Sequence, residues 1–509
     1  MKFNERERRR TMKARFLMLL PVTLFAALAL PVGLAAQEKK DPMHHHYKLI
    51  DMGTLGGPQS RIDYLTPLNN FSTVAGSADT PIPNPYYGND NPTFFSDPYI
   101  EHAFQWKEGV VTDLGSLPGG GVSQPNWINA RGHVAGNASN SIIDPLNGYP
   151  ESRAVLYRSG KVLDLGILAG GQESAATSLN NSDQVVGFAD NATPDPYSII
   201  GWQTQTRAFL WTQSRGIQDL GTLGGPDALA NTMNERGQVV GFSYVSSTPN
   251  PTTGIPTLDP FLWEEGKMID LGNLGGTVSV GEGGPFVNNR GQVVDQSNLA
   301  GDIYFHPYLW TKPGPMLDLG TLGGNLGDAT RINDAGEVVG WATNEGDQSI
   351  LAFLWKAGDM QNLGTVDGDP CSIAIDINEN HQVVGKTIDC VGNDLRAFLW
   401  EDGSMVDLNS VVQTGDGVQL FLADYINDRG EITAAGVLPN GDDRAYLLIP
   451  CDEKHPGVEG CDYSVVEASD VASRPSPSIG SAGNRELSSL LMRRISRNRF
   501  AGRAFGPKD

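Results

Sequence analysis

Cysteine and positive charge are both scarce in this chain. Of 509 residues, 4 are Cys and 37 are Lys or Arg, against 59 Asp or Glu, so the formal net charge is −22. Four cysteines exclude a scaffold that depends mainly on disulfides. The negative balance repels nucleic acid and anionic membranes, so neither is expected as a partner. Beyond residue 34 no apolar run is long enough to span a bilayer, and no membrane span is expected after signal removal.

Motifs for catalysis and metal binding are also missing. The sequence has no His-Glu-x-x-His motif, no paired-cysteine metal motif and no evident Ser–His–Asp set. The three adjacent histidines at 44–46 precede the first predicted strand and are interpreted as an incidental polar run. We therefore expect a protein that is not an enzyme, with no catalytic residue, no metal site and no cofactor. Adventitious calcium on the acidic surface is the one exception considered.

The first 36 residues are predicted to be a signal peptide. Basic residues up to Arg15 precede an apolar run from Phe16 to Leu34, and the small residues before Gln37 suit cleavage. An uncleaved membrane anchor is the alternative. The expected location is secreted, periplasmic or at the surface of a bacterial cell. Residues 37–47 are interpreted as a flexible lead.

Glycine and proline are abundant, at 61 and 32 residues, and three short motifs each recur eight times. The first motif, Ile-Asn-x-x-Gly-x-Val-Val-Gly, places its asparagine at Asn70, Asn129, Asn180, Asn234, Asn288, Asn333, Asn378 and Asn427. The second, Arg-Ala-Phe-Leu-Trp or a variant, ends at Trp106, Tyr157, Trp211, Trp263, Trp310, Trp355, Trp400 and Leu448. The third, Asp-Leu-Gly-Thr-Leu-Gly-Gly, starts at Asp51, Asp113, Asp164, Asp219, Asp270, Asp318, Asn362 and Asp407. This recurrence identifies a repeat protein with units of about 50 residues.

Each unit is predicted to be a four-stranded antiparallel meander. The polar turn of the first motif joins two β-rich runs, and a turn such as Asp402-Gly403 joins the next two. The fold class is therefore all-β, and we expect a β-propeller of eight four-stranded blades over residues 48–450. A lone fourth-strand motif at Asp51 is expected to complete the last blade, which ends at Leu448, and so to close the ring. An open solenoid is the alternative, and a monomer is expected.

The motifs resemble those of the HAF repeat proteins, a family of bacterial extracellular repeats. The naming motif stands here as His102-Ala103-Phe104 and as Arg-Ala-Phe in later units. The resemblance covers residues 48–450, and it implies export and β repeats. It brings no established activity and no catalytic residue.

The cysteines and the C-terminal segment complete the domain organisation. Two local disulfides are expected in an exported chain, Cys371 with Cys390 across a hairpin and Cys451 with Cys461 around a loop. Residues 451–469 are interpreted as a disulfide-stapled extension. Residues 470–509 are predicted to be a disordered basic tail in which 486–500 form a short helix.

Uneven loop length is the main functional signal. The loops between the second and third strands are longer in the first four units than in the last four, and they should form one arc on one rim. Aromatic side chains on such loops are typical of recognition surfaces. The predicted ligand-binding residues are Tyr86, Tyr87, Phe94, Phe95, Tyr99, Tyr149, Tyr197 and Trp202. Local packing of these rings is the competing interpretation.

The function predicted from these features is a secreted, non-catalytic binding or cell-surface module. Its partner would be an unknown extracellular ligand, carbohydrate or protein. One alternative is a secreted propeller enzyme that acts on polysaccharide. It would need charged residues unique to one or two units and converging at the axis, or paired loop carboxylates such as Asp90, Asp97 or Glu101. A structural envelope protein is the other alternative.

Overall fold

The computed structural model describes residues 43–467, except 63–64, 89–92, 95–96, 146–147, 252, 282, 367 and 413–416. The predicted signal peptide and basic tail lie outside the described residues. The fold is nearly all-β, with 56% strand and 2% helix. In the described part of the chain, no helix has the length and apolar character needed to cross a membrane.

The strands fall into eight units, numbered here in chain order. Two strands precede them, β1 (Met43–His45) and β2 (Tyr47–Asp51). Unit 1 contains β3 (Ser60–Arg61), β4 (Thr73–Pro83), β5 (Tyr99–Lys107) and β6 (Val110–Asp113). Unit 2 contains β7 (Ser123–Ile128), β8 (Val134–Ile143), β9 (Pro150–Arg158) and β10 (Lys161–Asp164). Unit 3 contains β11 (Ser174–Leu179), β12 (Val185–Pro194), β13 (Thr204–Thr212) and β14 (Gly216–Asp219). Unit 4 contains β15 (Ala228–Met233), β16 (Val239–Pro249), β17 (Pro256–Glu264) and β18 (Lys267–Asp270).

The second half of the chain continues the pattern with shorter second strands. Unit 5 contains β19 (Phe286–Val287), β20 (Gln292–Asn298), β21 (Phe305–Thr311) and β22 (Leu317–Asp318). Unit 6 contains β23 (Gly323–Ile332), β24 (Val338–Asn344), β25 (Ile350–Lys356) and β26 (Asp359–Gly364), with a 3-10 turn at Glu345–Asp347. Unit 7 contains β27 (Cys371–Ile377), β28 (Val383–Ile388), β29 (Asp394–Glu401) and β30 (Ser404–Asp407), followed by α1 (Leu408–Val411). Unit 8 contains β31 (Gln419–Ile426), β32 (Ile432–Val437) and β33 (Asp443–Pro450), and β34 (Val465–Glu467) comes last.

Every unit is an antiparallel meander, as predicted. A single parallel bridge, from Phe305 to Leu326, joins units 5 and 6 into one eight-stranded sheet. The predicted turns are present: in unit 6 the Asn333 side chain accepts from the Glu337 N–H at 2.9 Å, and Gly336 has φ +86°. The local turn chemistry of the repeat therefore sets the strand order within each sheet.

The first motif of unit 1 lies one residue earlier than predicted. Asn69, not Asn70, makes the turn, because its side chain accepts from the N–H groups of Phe71 and Thr73. Ser72, with φ +57°, occupies the place of the usual glycine. Asp183 and His381 occupy the same place in units 3 and 7, with φ +57° and +63°.

Strand β2 completes the sheet of unit 8. It pairs antiparallel with β33, from Tyr47 opposite Pro450 to Asp51 opposite Tyr446. In addition, β1 pairs with β34. The prediction of a flexible lead is therefore wrong for residues 43–47. The His44 side chain is fully buried there, with its Nδ1 3.0 Å from Glu401 Oε1.

The core lies between successive units. At the contact of units 6 and 7, Val339 and Leu354 pack against Val383, Phe398 and Trp400. Each sheet is thus covered on both faces, which explains why the inner strands read Val-Val-Gly and Phe-Leu-Trp without alternating polar residues.

The glycine that ends the first motif is required by a close approach of two strands. In unit 6 a Cβ at Gly340 would lie 2.0 Å from the Asp328 carbonyl oxygen of β23. The same contact would be 1.9 Å at Gly187. In unit 5 this position is Asp295, and the first strand is correspondingly reduced to two residues.

Both predicted disulfides are present. Cys371 and Cys390 have a Cα–Cα distance of 5.3 Å, and Cys451 and Cys461 one of 5.4 Å. The first pair ties the hairpin of unit 7, and the second closes the loop that follows β33.

Candidate functional site

The predicted rim aromatics do not form an exposed surface. Phe94, Tyr149 and Trp202 are at most 9% exposed, so the prediction that they face solvent is wrong. Tyr149 packs against Tyr86 and Phe94, with ring centroids 5.5 and 5.9 Å apart, and Trp202 packs against Phe188. These long loops carry their own small core, because an extended loop needs apolar contacts to hold it.

The other rim residues differ among themselves. Tyr87 is 60% exposed, whereas Tyr86, Tyr99 and Tyr197 are partly buried. Phe95 lies outside the described residues. A ligand-binding role for the rim stays a prediction, now confined largely to Tyr87.

Two of the loop carboxylates named as enzyme candidates do come together. Arg61 Nη2 lies 2.7 Å from Asp97 Oδ2, and Arg61 Nη1 lies 3.9 Å from Glu101 Oε1. Burial and these two carboxylates raise the pKa of Asp79 to about 7. However, Asp79, Asp97 and Glu101 are at most 3% exposed. The cluster is buried between units 1 and 2, while Asp90 lies outside the described residues.

A second candidate site lies where the first strands of all units converge. Most of these strands contain a β-bulge just before the turn asparagine, for example between Ala329 and Arg331 and between Ala374 and Asp376. We call the second residue before the turn asparagine the axial position. The axial residues are Pro67, Trp127, Ser178, Thr232, Phe286, Arg331, Asp376 and Tyr425. The residue that follows the axial position is apolar in every unit, whereas the axial residue itself is different in each of the eight units.

The turn asparagines are linked in a ladder from unit to unit. The Asn69 side chain donates to the Asn129 carbonyl at 2.9 Å, and the pattern repeats along the chain. Asn427 finally donates back to the Asn69 carbonyl at 3.1 Å. Asn180 is an exception, since its recorded partner is the Gln184 side chain. Because these buried amide and carbonyl groups pair across units, the ladder holds the inner turns in register.

The residue after each turn asparagine forms a second polar ring, called here the rim ring. Glu379 accepts from the Asp334 N–H at 2.6 Å, and Asp428 accepts from the Glu379 N–H at 3.1 Å. Asn70 accepts from the Asp428 N–H at 3.1 Å. The remaining members are Ala130, Asn181, Glu235 and Asn289. Carboxylates and amides therefore serve the same structural role at this position.

These rings surround a cavity of about 370 Å³, called here the axial cavity. Its lining comes from all eight units and includes all eight members of the rim ring and five axial residues, Trp127, Phe286, Arg331, Asp376 and Tyr425. Six members of the rim ring are exposed and none of these axial residues is, so the rim ring forms the mouth. The apolar residues before the turn asparagines lie between the two ends, namely Leu68, Ile128, Leu179, Met233, Val287, Ile332, Ile377 and Ile426. The charged lining residues are one arginine and five carboxylates, Arg331 with Glu235, Asp334, Asp376, Glu379 and Asp428.

Side chains from non-neighbouring units close the inner end of the cavity. Trp127 of unit 2 stacks on Phe286 of unit 5, with centroids 6.2 Å apart and an interplanar angle of 20°. The Arg331 guanidinium lies 3.9 Å from the centre of the Phe286 ring and also donates to the Leu65 carbonyl of unit 1. These contacts cross the axis, so the cavity has a floor.

Arg331 and Asp376 form an ion pair at this floor. Arg331 Nε lies 3.3 Å from Asp376 Oδ1, and the Ile426 N–H donates to Asp376 Oδ2 at 2.9 Å. Burial raises the pKa of Asp376 to about 6, although the Arg331 charge opposes that rise. Burial, followed by the Asp376 charge, raises the pKa of the neighbouring Tyr425 hydroxyl. A carboxyl group poised near neutral pH beside an arginine is suited to acid–base chemistry.

Sequence reasoning missed this site, although a signal was present. Aligning the eight units on their asparagines isolates a column in which Arg331 and Asp376 are the only charged residues. The bulge that directs this column toward the axis is not evident from strand alternation alone. Within the described residues, no group of three or more His, Cys, Asp and Glu is arranged to hold a metal ion.

Comparison with known proteins finds similarity only among solved structures. No family model and no curated protein matches the chain. Among solved structures, the β-propeller domain of the Trilobed protease from Pyrococcus furiosus is similar, with 14% identity, a TM-score of 0.38, and coverage of 71% of this chain and 95% of that one. Dipeptidyl peptidase 4 of Porphyromonas gingivalis is similar with 9% identity and a TM-score of 0.43, over 72% of this chain and 56% of that one. An ulvan lyase, which is a polysaccharide lyase, is similar with 10% identity and a TM-score of 0.34, over 80% of this chain and 96% of that one.

These similarities correct one prediction. The similar structures come from peptidases and a polysaccharide lyase, and this finding contradicts the expectation that the chain is not an enzyme. Identities of 9–14% assign no particular activity to this chain. The chain spans a little more than half of the peptidase from Porphyromonas gingivalis.

Proposed function

We propose that this protein is an exported β-propeller enzyme that cleaves a polysaccharide in the axial cavity. The observation that carries the proposal is the Arg331–Asp376 pair, which is unique to units 6 and 7 and lies on the floor of a cavity shared by all eight units. No other unit carries a charged residue at the axial position, so the repeat itself does not require this pair.

The architecture in this proposal is a closed ring of eight blades. Pairing of β2 with β33 and the return of the asparagine ladder from Asn427 to Asn69 support closure. Formation of both disulfides suits export to an oxidising compartment. Membership of the HAF repeat family is part of the same proposal.

In the proposed mechanism Asp376 is the general acid. Glycoside hydrolysis uses two carboxyl groups, one of which has a raised pKa and protonates the leaving oxygen. Asp376 is itself only 4% exposed, but it lines the axial cavity, and its pKa, raised to about 6, suits that step. The second carboxylate would come from the rim ring, where Glu379 and Asp428 belong to the adjacent units 7 and 8. Partly exposed aromatic faces of Trp127 and Tyr425 offer stacking surfaces for sugar rings.

The test is a panel of soluble polysaccharides incubated with the purified exported protein, read as release of new reducing ends. Asp376→Asn should lower the rate by at least about 100-fold, because it removes the acid while keeping the size of the side chain. Glu101→Gln, in the buried cluster between units 1 and 2, is the matched control and should keep the activity. Loss in Glu101→Gln but not in Asp376→Asn would move the active site to that cluster. No cleavage of any panel member would contradict the proposed function.

A further inference from the structure

The floor of the axial cavity can be reached from one end only. Among the described residues, the Trp127 ring stacks on Phe286 across the inner end. The Arg331 guanidinium crosses the same end, from the Phe286 ring to the Leu65 carbonyl. Asp376 lies beside Arg331 on this floor and is buried. A glycosidic bond therefore reaches the Asp376 carboxyl group only if the saccharide enters through the rim ring.

The side wall of the cavity is hydrogen-bonded from unit to unit. A bond of the asparagine ladder is present at every contact between neighbouring units except that of units 3 and 4, and Asn427 of unit 8 donates to the Asn69 carbonyl of unit 1. At the contact of units 3 and 4, the Asn181 N–H donates to the Glu235 carboxylate at 3.0 Å. In the closed ring of the proposed function, the described residues therefore leave no slot in the wall along which the middle of a long chain could lie.

We propose that the axial cavity accepts the end of a polysaccharide chain and not its middle, so that the enzyme removes sugars from chain ends. This inference rests on the proposed function, because it defines which part of the polymer the same cavity takes. The middle of a chain has two continuing arms, and both would have to leave through the one mouth. The cavity volume, about 370 Å³, is near the lower end of the range for ligand pockets, which starts at about 300 Å³, so the cavity suits a short terminal segment.

Each turnover is the hydrolysis of one bond near a chain end. The glycosidic C–O bond breaks, and the leaving oxygen takes the proton of the Asp376 carboxyl group. Water gives its hydroxyl group to the anomeric carbon and its remaining proton to a carboxylate, from which Asp376 is reprotonated. The released sugar then leaves by the way it entered.

The charges at the mouth balance. The four carboxylates of the rim ring are offset by four arginines that follow rim-ring residues on the same turns, namely Arg131, Arg236, Arg290 and Arg429. Recognition of the chain end therefore depends on shape and stacking, and neutral polysaccharides are the suitable probes.

Phe71 offers an aromatic surface beside this mouth. It follows Asn70 of the rim ring and is 62% exposed. The turn that carries it is held on both sides, because the Asn69 side chain accepts from the Phe71 N–H at 2.9 Å and the Ser72 hydroxyl donates to Glu431 of unit 8 at 2.7 Å. An exposed ring on a fixed turn is suited to stack on the apolar face of a sugar. The sugar unit just outside the mouth stacks on Phe71.

The experiment treats soluble starch, mixed-linkage β-glucan, arabinoxylan and galactomannan with the full protein and follows reducing ends, viscosity and product size in the same samples. For a polymer that is cleaved, viscosity should fall only in proportion to the sugar released. The products should be monosaccharides or short oligosaccharides from the first time point. Partial acid hydrolysis of the same polymer, which multiplies its chain ends, should raise the rate at equal mass.

Variants of Phe71 test the stacking surface. Phe71→Ala should raise KM at least about fivefold while kcat stays within about twofold of the wild-type value, and Phe71→Tyr should restore KM. Val110→Ala is the matched control and should leave KM unchanged, because Val110 is equally exposed, at 62%, but lies on β6, the outer strand of unit 1.

The outcomes separate the inference from the proposed function. An early collapse of viscosity, with long fragments as products, would overturn the inference and leave the proposed function standing. No cleavage of any of these polymers would remove the proposed function and the inference with it. Cleavage from chain ends with an unchanged KM in Phe71→Ala would overturn the stacking role of Phe71.

Discussion

Replacing Asp227 with asparagine should change how the stability of the protein depends on pH. The Asp227 side chain is fully buried between units 3 and 4 and accepts from the Ile199 N–H at 2.7 Å and the Thr206 N–H at 2.9 Å. Burial, together with the negative charge of Asp195, raises its pKa to about 8, even though both backbone donors act in the opposite direction. The folded chain therefore holds a proton that the unfolded chain releases near pH 4.

The sign and size follow from that difference. Between about pH 4 and pH 8 the folded state binds one proton more than the unfolded state, so stability falls as the pH rises, by up to about 1.4 kcal/mol per unit. Four units would amount to about 5.7 kcal/mol. Relaxation and water entry around the ionised group reduce the expected loss to about 3 kcal/mol.

Asparagine has no proton to release, so the stability of the variant should lack this part of the decrease with rising pH. Its amide nitrogen would face one of the two backbone donors, which costs about 1–3 kcal/mol at low pH. Urea unfolding of both proteins at pH 5, 6, 7 and 8 measures the difference. The wild-type advantage at pH 5 should shrink or reverse by pH 8. Parallel stability curves over this range would refute the assignment of a protonated Asp227.

Three further substitutions probe the framework. Replacing both Cys371 and Cys390 with serine should lower the free energy of unfolding by about 3 kcal/mol, measured by urea titration against the disulfide-bonded wild-type protein. Asn427→Ala removes the ladder bond to the Asn69 carbonyl and should cost about 1–3 kcal/mol by the same measurement; a neutral result would mean that this bond adds nothing to stability. Gly340→Ala should abolish folding or lower the melting temperature sharply, because its Cβ would meet a backbone carbonyl at 2.0 Å, whereas Gly283→Ala has open space and should be tolerated, as judged by circular dichroism.

Much of the fold could be predicted from the sequence because each repeat is defined by its turn residues. Polar turns with glycine or asparagine specify hairpins locally, and eight copies of the same order leave few alternatives for the sheet topology. The register failed only in unit 1, where Ser72 replaces the turn glycine. Ser72 and Thr73 stand three places after Asn69 and Asn70, so no glycine distinguished the two adjacent asparagines.

The candidate site was harder to predict because it depends on contacts between distant units. Nothing near Arg331 in sequence indicates that its side chain reaches Phe286 or the carbonyl of Leu65. The aromatic loops led to a wrong prediction of exposure for a different reason. A long polar loop with aromatic residues has the same sequence pattern whether its rings are exposed or buried, and the Tyr149 ring is buried beneath its own loop. Burial of that kind is decided by tertiary packing.

The pairing of β2 with β33 also constrains how the molecule is made. Strand β2 is synthesised before unit 1, but its partner β33 belongs to unit 8, so this edge of β2 has no native partner until all eight units have been synthesised. Contacts of such long range form slowly, and an unpaired strand edge is prone to associate with other chains. Units 1 to 7 have all their strands locally and can assemble as they appear. Completion of the molecule must therefore be a late event, after the last strand has left the ribosome or, in an exported chain, the translocation channel.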